Sequence, residues 1–169
     1  MLISWENMSH YSSVPLEYRF VDSADVIPGK EAKASKVISS LDWYFKMHFP
    51  GDPIMPGVLL METMQQTALL IITTLPDIDE KVMYFQGCKN MRMFNSVRPG
   101  DTLQMHVVMN DFRLGVANFH GDVMVTHPFE EKQKKACTMD FTMILPSQMV
   151  SISTEKAINT ELRGGDKNV

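Results

Sequence analysis

The chain has 169 residues, 44% of them apolar and 21% charged, the size and balance of one globular domain able to bury a sizeable core. Its formal net charge of −4 excludes the basic balance that nucleic-acid binding as a main task requires. Two cysteines, Cys88 and Cys137, stand far apart without Cys-x-x-Cys spacing, which points to a reducing, cytoplasmic compartment and to no metal site.

Met1 to Val14 has no basic start and no long apolar run, so no signal peptide is expected. Residues 1–15 form a leader of undetermined structure. Leu16 to Ile27 reads as a weak strand, Pro28-Gly29 as a hairpin turn, and Lys30 to Ser39 as a second, partly exposed strand. Asp42-Trp43-Tyr44-Phe45 brings three aromatics just ahead of His48, either sealing the edge of a core or walling a pocket beside the histidine.

His48-Phe49-Pro50-Gly51-Asp52-Pro53-Ile54-Met55-Pro56-Gly57 holds three prolines and two glycines and so is neither helix nor regular strand. A helix follows, roughly Val58 to Thr74, with long apolar side chains on every face. Such a helix is surrounded rather than laid on a surface. Glu62, Gln65 and Gln66 interrupt its apolar run, which favours a core helix over a membrane span.

From Val82 the period changes to two. Val82 to Val97 is strand-like, and Arg98-Pro99-Gly100-Asp101 is a firm turn. Leu103 to Met109, Ala117 to Val125 and Cys137 to Leu145 each alternate apolar with polar residues, the pattern of half-buried antiparallel strands. Residues 16–146 thus predict a single α+β domain, a curved antiparallel sheet around one helix, and 147–169 a flexible polar tail.

Glu62 is the residue that needs explaining. Burying an unpartnered polar group costs about 1–3 kcal/mol and a bare carboxylate more, so it must be paired, protonated or placed at an opening. Gln66, four residues on, lies on the same helix face and is positioned to hold it. If His48 and Glu62 face one apolar pocket, burial disfavours the charged form of each, leaving a neutral base and a protonated acid. The free N–H groups at Gly57-Val58 and the positive end of the helix suit polarisation of a carbonyl oxygen. Together these groups fit removal of a proton α to a carbonyl and loss of a β-leaving group.

The run from His48 to Gly51, followed by Pro53 to Leu59, Glu62, Met64 and Gln66, resembles the active-site motif of the (3R)-hydroxyacyl-[acyl-carrier-protein] dehydratases of the hot-dog fold. The likeness continues more loosely through Tyr84 to Gly87 and Phe94 to the Arg98–Asp101 turn. The resemblance implies a helix wrapped by a sheet, dimers joined edge to edge, and trimers of such dimers in many relatives. It implies His48 as the base, Glu62 of the partner subunit as the acid, and the Gly57 N–H as the group polarising the thioester. Val58 and Gln66 would contact substrate, an acyl carrier protein would deliver it, and no metal or diffusible cofactor is implied.

Tyr84, Phe85 and Phe94 line an acyl tunnel on this view, or are plain core. Lys46, Lys89, Arg92 and Arg98 attract an acidic carrier, or are ordinary solvated surface. His106 and His120 read as exposed, His10 and His127 have no evident partner, and both cysteines read as core. Met47, Thr63 and Gln65 depart from the family pattern, and a His-Arg-Tyr-Pro segment is not evident in Leu16 to Asp22. A hot-dog thioesterase or a non-catalytic acyl-binding subunit are the competing readings.

Overall fold

The computed structural model describes residues 1–148. A seven-stranded antiparallel sheet is built from β1 (Leu2–Ile3), β2 (Ser23–Ile27), β3 (Glu31–Val37), β4 (Tyr84–Met93), β5 (Thr102–Arg113), β6 (Val116–Thr126) and β7 (Lys134–Ile144), in the order β1-β2-β3-β5-β6-β7-β4. One long helix, α1 (Gly57–Thr73), lies against its concave face, touching β2, β3, β5, β6 and β7. Twelve of its seventeen residues are buried: Gln66 to Thr73 are buried all round, whereas Val58, Met61, Glu62 and Gln65, which share one face of the first half, are not.

The alternation read in β5, β6 and β7 is the division between the two faces of the sheet. Leu103, Met105, Val107, Ala117, Phe119, Val123, Val125, Cys137, Met139, Phe141 and Met143 point at the helix and are buried. Gly121 continues this inward phase on β6. A Cβ there would stand 2.7 Å from Met64 Sδ and 3.3 Å from the Phe141 ring, so its bare backbone is what lets α1 settle on the sheet.

The predicted strand Leu16–Ile27 is shorter than expected. Leu16–Tyr18 is a 3₁₀ turn and only Ser23–Ile27 pairs, through the expected hairpin, with β3. The reason is long-range: Phe20 N–H donates to Gln66 Oε1 at 2.8 Å, binding this stretch to the helix instead of the sheet. Residues 1–15, which the sequence leaves open, are tied in: Leu2 and Ile3 pair with Asp25 and Ala24, and Ile3 and Met8 are in the core. Of the expected tail, only Ser147 and Gln148 fall among the described residues.

Two further readings are corrected. Cys88 is exposed, because β4 is the terminal strand of the sheet, with no neighbour on its far edge among the described residues, while Cys137 is buried as read. His127 does have a partner: its Nδ1 lies 2.8 Å from the buried carboxylate of Asp101, which also accepts the Arg98 N–H at 2.7 Å. His106 and His120 are on the outer face, against Glu31 and Asp140 at 2.8 and 2.6 Å. Each contact holds the carboxyl concerned below its ordinary range.

Candidate active site

Tyr44 and Phe45 are buried with ring centroids 4.5 Å apart and anchor the approach to His48 from within the core; they seal its edge and do not wall the cavity beside His48. The Tyr44 hydroxyl donates to Asp42 at 2.9 Å; burial first, then that carboxylate, push the phenol far above its ordinary range. The chain then turns back through reciprocal bonds between Phe49 and Asp52, N to O at 3.2 and 3.1 Å, with Gly51 at φ +84° supplying the left-handed residue. Ile54 N–H donates to His48 O at 3.0 Å, and Met55 N–H to Val97 O at 2.8 Å. Arg98 and Asp52 form an ion pair across the loop. The proline-rich run is thus held by backbone partners and one ion pair, with Met55 its anchor in the core.

His48 Nδ1 is 3.1 Å from the carbonyl oxygen of Ile54. A carbonyl can only accept, so this contact puts the ring hydrogen on Nδ1 and leaves Nε2 with a free lone pair in the neutral imidazole. His48 lines a cavity of about 230 Å³ with Gly57, Leu60, Met93, Phe94 and Val97 among its walls. Gly57 is the first residue of α1, and the N-cap, Pro56, offers no side-chain oxygen to the first-turn amides. Met93 lies over it: a Cβ at Gly57 would meet the Met93 methyl at 3.0 Å. Val58, beside it, is 67% exposed.

Glu62 is elsewhere. It lines a separate cavity of about 200 Å³ with Gln66, Leu69, Met83 and Met143. From Gly57 to Glu62 is five residues, about 140° round the helix and roughly 7.5 Å along it, and the two line different cavities. Gln66 holds Glu62 as read from the spacing: Nε2 donates to Glu62 Oε1 at 2.9 Å and to Tyr18 O at 2.9 Å. Burial, and then the Glu62 carboxylate, raise the Tyr18 phenol above its ordinary range.

Of the expected tunnel aromatics, Phe94 lines the His48 cavity, while Tyr84 and Phe85 line neither. None is core, at 62%, 40% and 52% exposure for Tyr84, Phe85 and Phe94. Unforeseen walls are Met93 and Asn95 to Val97 at His48, and Ser13, Val14 and Lys81 to Met83 at Glu62. Nothing local in the sequence marks them, because they meet the site only through the fold.

The FabA-like domain family matches residues 18–128. The chain belongs to this family. Two of its relatives, each named 3-hydroxyacyl-[acyl-carrier-protein] dehydratase FabZ, come from Ligilactobacillus salivarius and Chloroflexus aggregans. The first is 36% identical over 121 residues, 72% of this chain and 82% of the relative. The second is 40% identical over 106 residues, 61% of this chain and 74% of the relative. Among solved structures, the dehydratase heterocomplex ApeI:P from Xenorhabdus doucetiae superposes with a TM-score of 0.68 at 12% identity, covering 86% of this chain and 95% of that one. An uncharacterized protein from Erwinia carotovora gives 0.52 at 13% identity, over 72% and 90%. Those likenesses carry the fold alone. The FabA-like chain has the hot-dog architecture, its helix wrapped by the antiparallel sheet. Among the described residues, no helix is long and apolar enough to cross a membrane.

Proposed function

We propose that this protein is a hydro-lyase that dehydrates (3R)-hydroxyacyl-[acyl-carrier-protein] thioesters to trans-2-enoyl thioesters. It acts in the cytoplasm as a homodimer, in fatty-acid synthesis or a related lipid or polyketide route. The observation that carries the reading is that His48, with Nε2 left free, and Gly57, at the uncapped start of α1, line one cavity. The names of the FabZ relatives support the substrate class.

The thioester carbonyl takes up the Gly57 N–H, which stabilises the negative charge that grows on its oxygen. His48 Nε2 removes the α-proton, and the electron pair of that C–H bond becomes the new C=C bond. The Cβ–O bond breaks as Glu62 of the partner subunit delivers a proton to the departing hydroxyl, which leaves as water. The proton on His48 then returns to the carboxylate by way of solvent, restoring both groups.

The reading takes two copies, a choice supported by His48 and Glu62 lining different cavities of one chain. The outer edge of β4, unpaired among the described residues, is the natural seam: ten residues long, with Tyr84, Phe85 and Met93 exposed along it and Phe94 just beyond, and Met93 and Phe94 already walls of the His48 cavity. A second copy paired along β4 reaches that cavity from the open side. Trimers of such dimers follow the same family pattern.

The test is hydration of a crotonyl-carrier thioester, followed by loss of enoyl absorbance. The native protein is expected to turn over, and folded His48→Ala and Glu62→Gln each to lose about 10²- to 10⁴-fold. A folded native protein inactive on short and long acyl carriers alike would overturn the assignment, and release of free thiol would make it a thioesterase.

A further inference from the structure

The stretch before residue 18 lies outside the FabA-like match, yet it is built into this molecule. The Met1 ammonium donates to Val26 O at 2.6 Å, β1 adds to the sheet, and Met8 and Ser12 are buried. The chain then crosses to the helix. Ser13 donates twice to one carbonyl, that of Lys81, from its N–H at 3.3 Å and its hydroxyl at 3.0 Å. Lys81 Nζ answers with a bond to Ser9 O at 3.4 Å. Two segments far apart in sequence are thus stitched together at one spot, and that spot is the wall of the Glu62 cavity.

Polar residues line one part of that cavity, Glu62, Gln65 and Gln66 with Ser13 and Lys81, and Val14, Leu69, Val82, Met83 and Met143 form its apolar part. A substrate whose β-hydroxyl is protonated by Glu62 carries its remaining chain from the same carbon, so carbons beyond the β-position start beside this carboxylate. An apolar space next to the acid is the chemistry an alkyl chain seeks.

We infer that Ser13 and Val14 form the end wall of the acyl-chain pocket beside Glu62, so that this segment limits the length of chain accepted. The inference rests on the dehydratase reading and adds a specificity element from outside the family domain. Its position is set by the stitch to Lys81, and Val14 is the side chain that meets the chain end.

The measurement is kcat/KM for four-carbon and twelve-carbon 3-hydroxyacyl-carrier-protein thioesters, on the native protein, Val14→Ala and Val14→Trp. Thermal unfolding shows that each variant is folded. The ratio of long-chain to short-chain kcat/KM is expected to rise in Val14→Ala and fall in Val14→Trp, about tenfold in each direction. If Val14→Trp does not fold, the rise in Val14→Ala decides alone. An unchanged ratio in active, folded variants overturns this inference and leaves the dehydratase reading standing. A native protein inactive on both substrates overturns that reading, and this one with it.

Discussion

At His48 one hydrogen bond determines what the side chain offers. The Ile54 carbonyl takes the Nδ1 hydrogen, so Nε2 is the nitrogen left free on a ring that lines the cavity. Gln66 does the corresponding work for the acid, and at a cost if removed, since it also serves Tyr18 O and Phe20 N–H. Gln66→Met leaves both backbone groups without their partner in a region where Gln66 itself is buried. Urea unfolding is expected to show a loss of about 2–4 kcal/mol; a loss below about 0.5 kcal/mol would mean the clamp contributes nothing. Cys137 illustrates the opposite case, a group the site does not use: burial, then Asp122 and Cys88, push its thiol up to about 11, so it stays protonated and serves as a small core residue.

Among the elements, α1 and β6 fit each other through a single glycine. Gly121 faces Met64, which is fully buried, and a methyl group there would come 2.7 Å from Met64 Sδ, so that side chain would have to shift. Gly121→Ala is expected to destabilise the fold by about 1–3 kcal/mol by overpacking. Pairing it with Met64→Ala should recover part of that loss, because the clash and the side chain that makes it are removed together. A double-mutant cycle by chemical denaturation reads this coupling directly, and strict additivity would contradict the contact as its cause. The loop ahead of α1 follows a different logic. It is held by backbone bonds to Val97 and by the Arg98–Asp52 pair, so the Arg98–Asp101 turn acts as a brace for the histidine loop rather than as a mere connection between strands.

For the whole molecule, the separation of the His48 and Glu62 cavities makes a quantitative prediction. Mixed dimers of His48→Ala with Glu62→Gln contain one site with both groups lost and one with both intact. Random reassortment makes about half of the dimers mixed, so activity should return to about a quarter of the native level. Two inactive proteins that regain activity on being unfolded and refolded together would demonstrate a site shared between subunits. No recovery, with mixed dimers shown to form, would require each chain to hold a complete site and would overturn the two-subunit mechanism.

Much of this could be read from the residues alone. Period two in β5, β6 and β7, the all-round apolar helix, the proline- and glycine-rich loop, and the Glu62–Gln66 pairing are all set by neighbours a few positions away. Local spacing fixes which face a side chain takes, and the motif from His48 to Gln66 is long enough to carry the family likeness. What only the tertiary structure decided depends on contacts across long separations. The Gln66 bonds to Tyr18 and Phe20 cut short a strand that its own residues favour. The terminal position of β4 exposes Cys88 and the aromatics that a strand pattern places in a core. Asp101 captures His127, and Lys81 captures Ser13, from 26 and 68 residues away. Such pairings have no local signature, because their energy comes from groups that meet only after the sheet has closed around the helix.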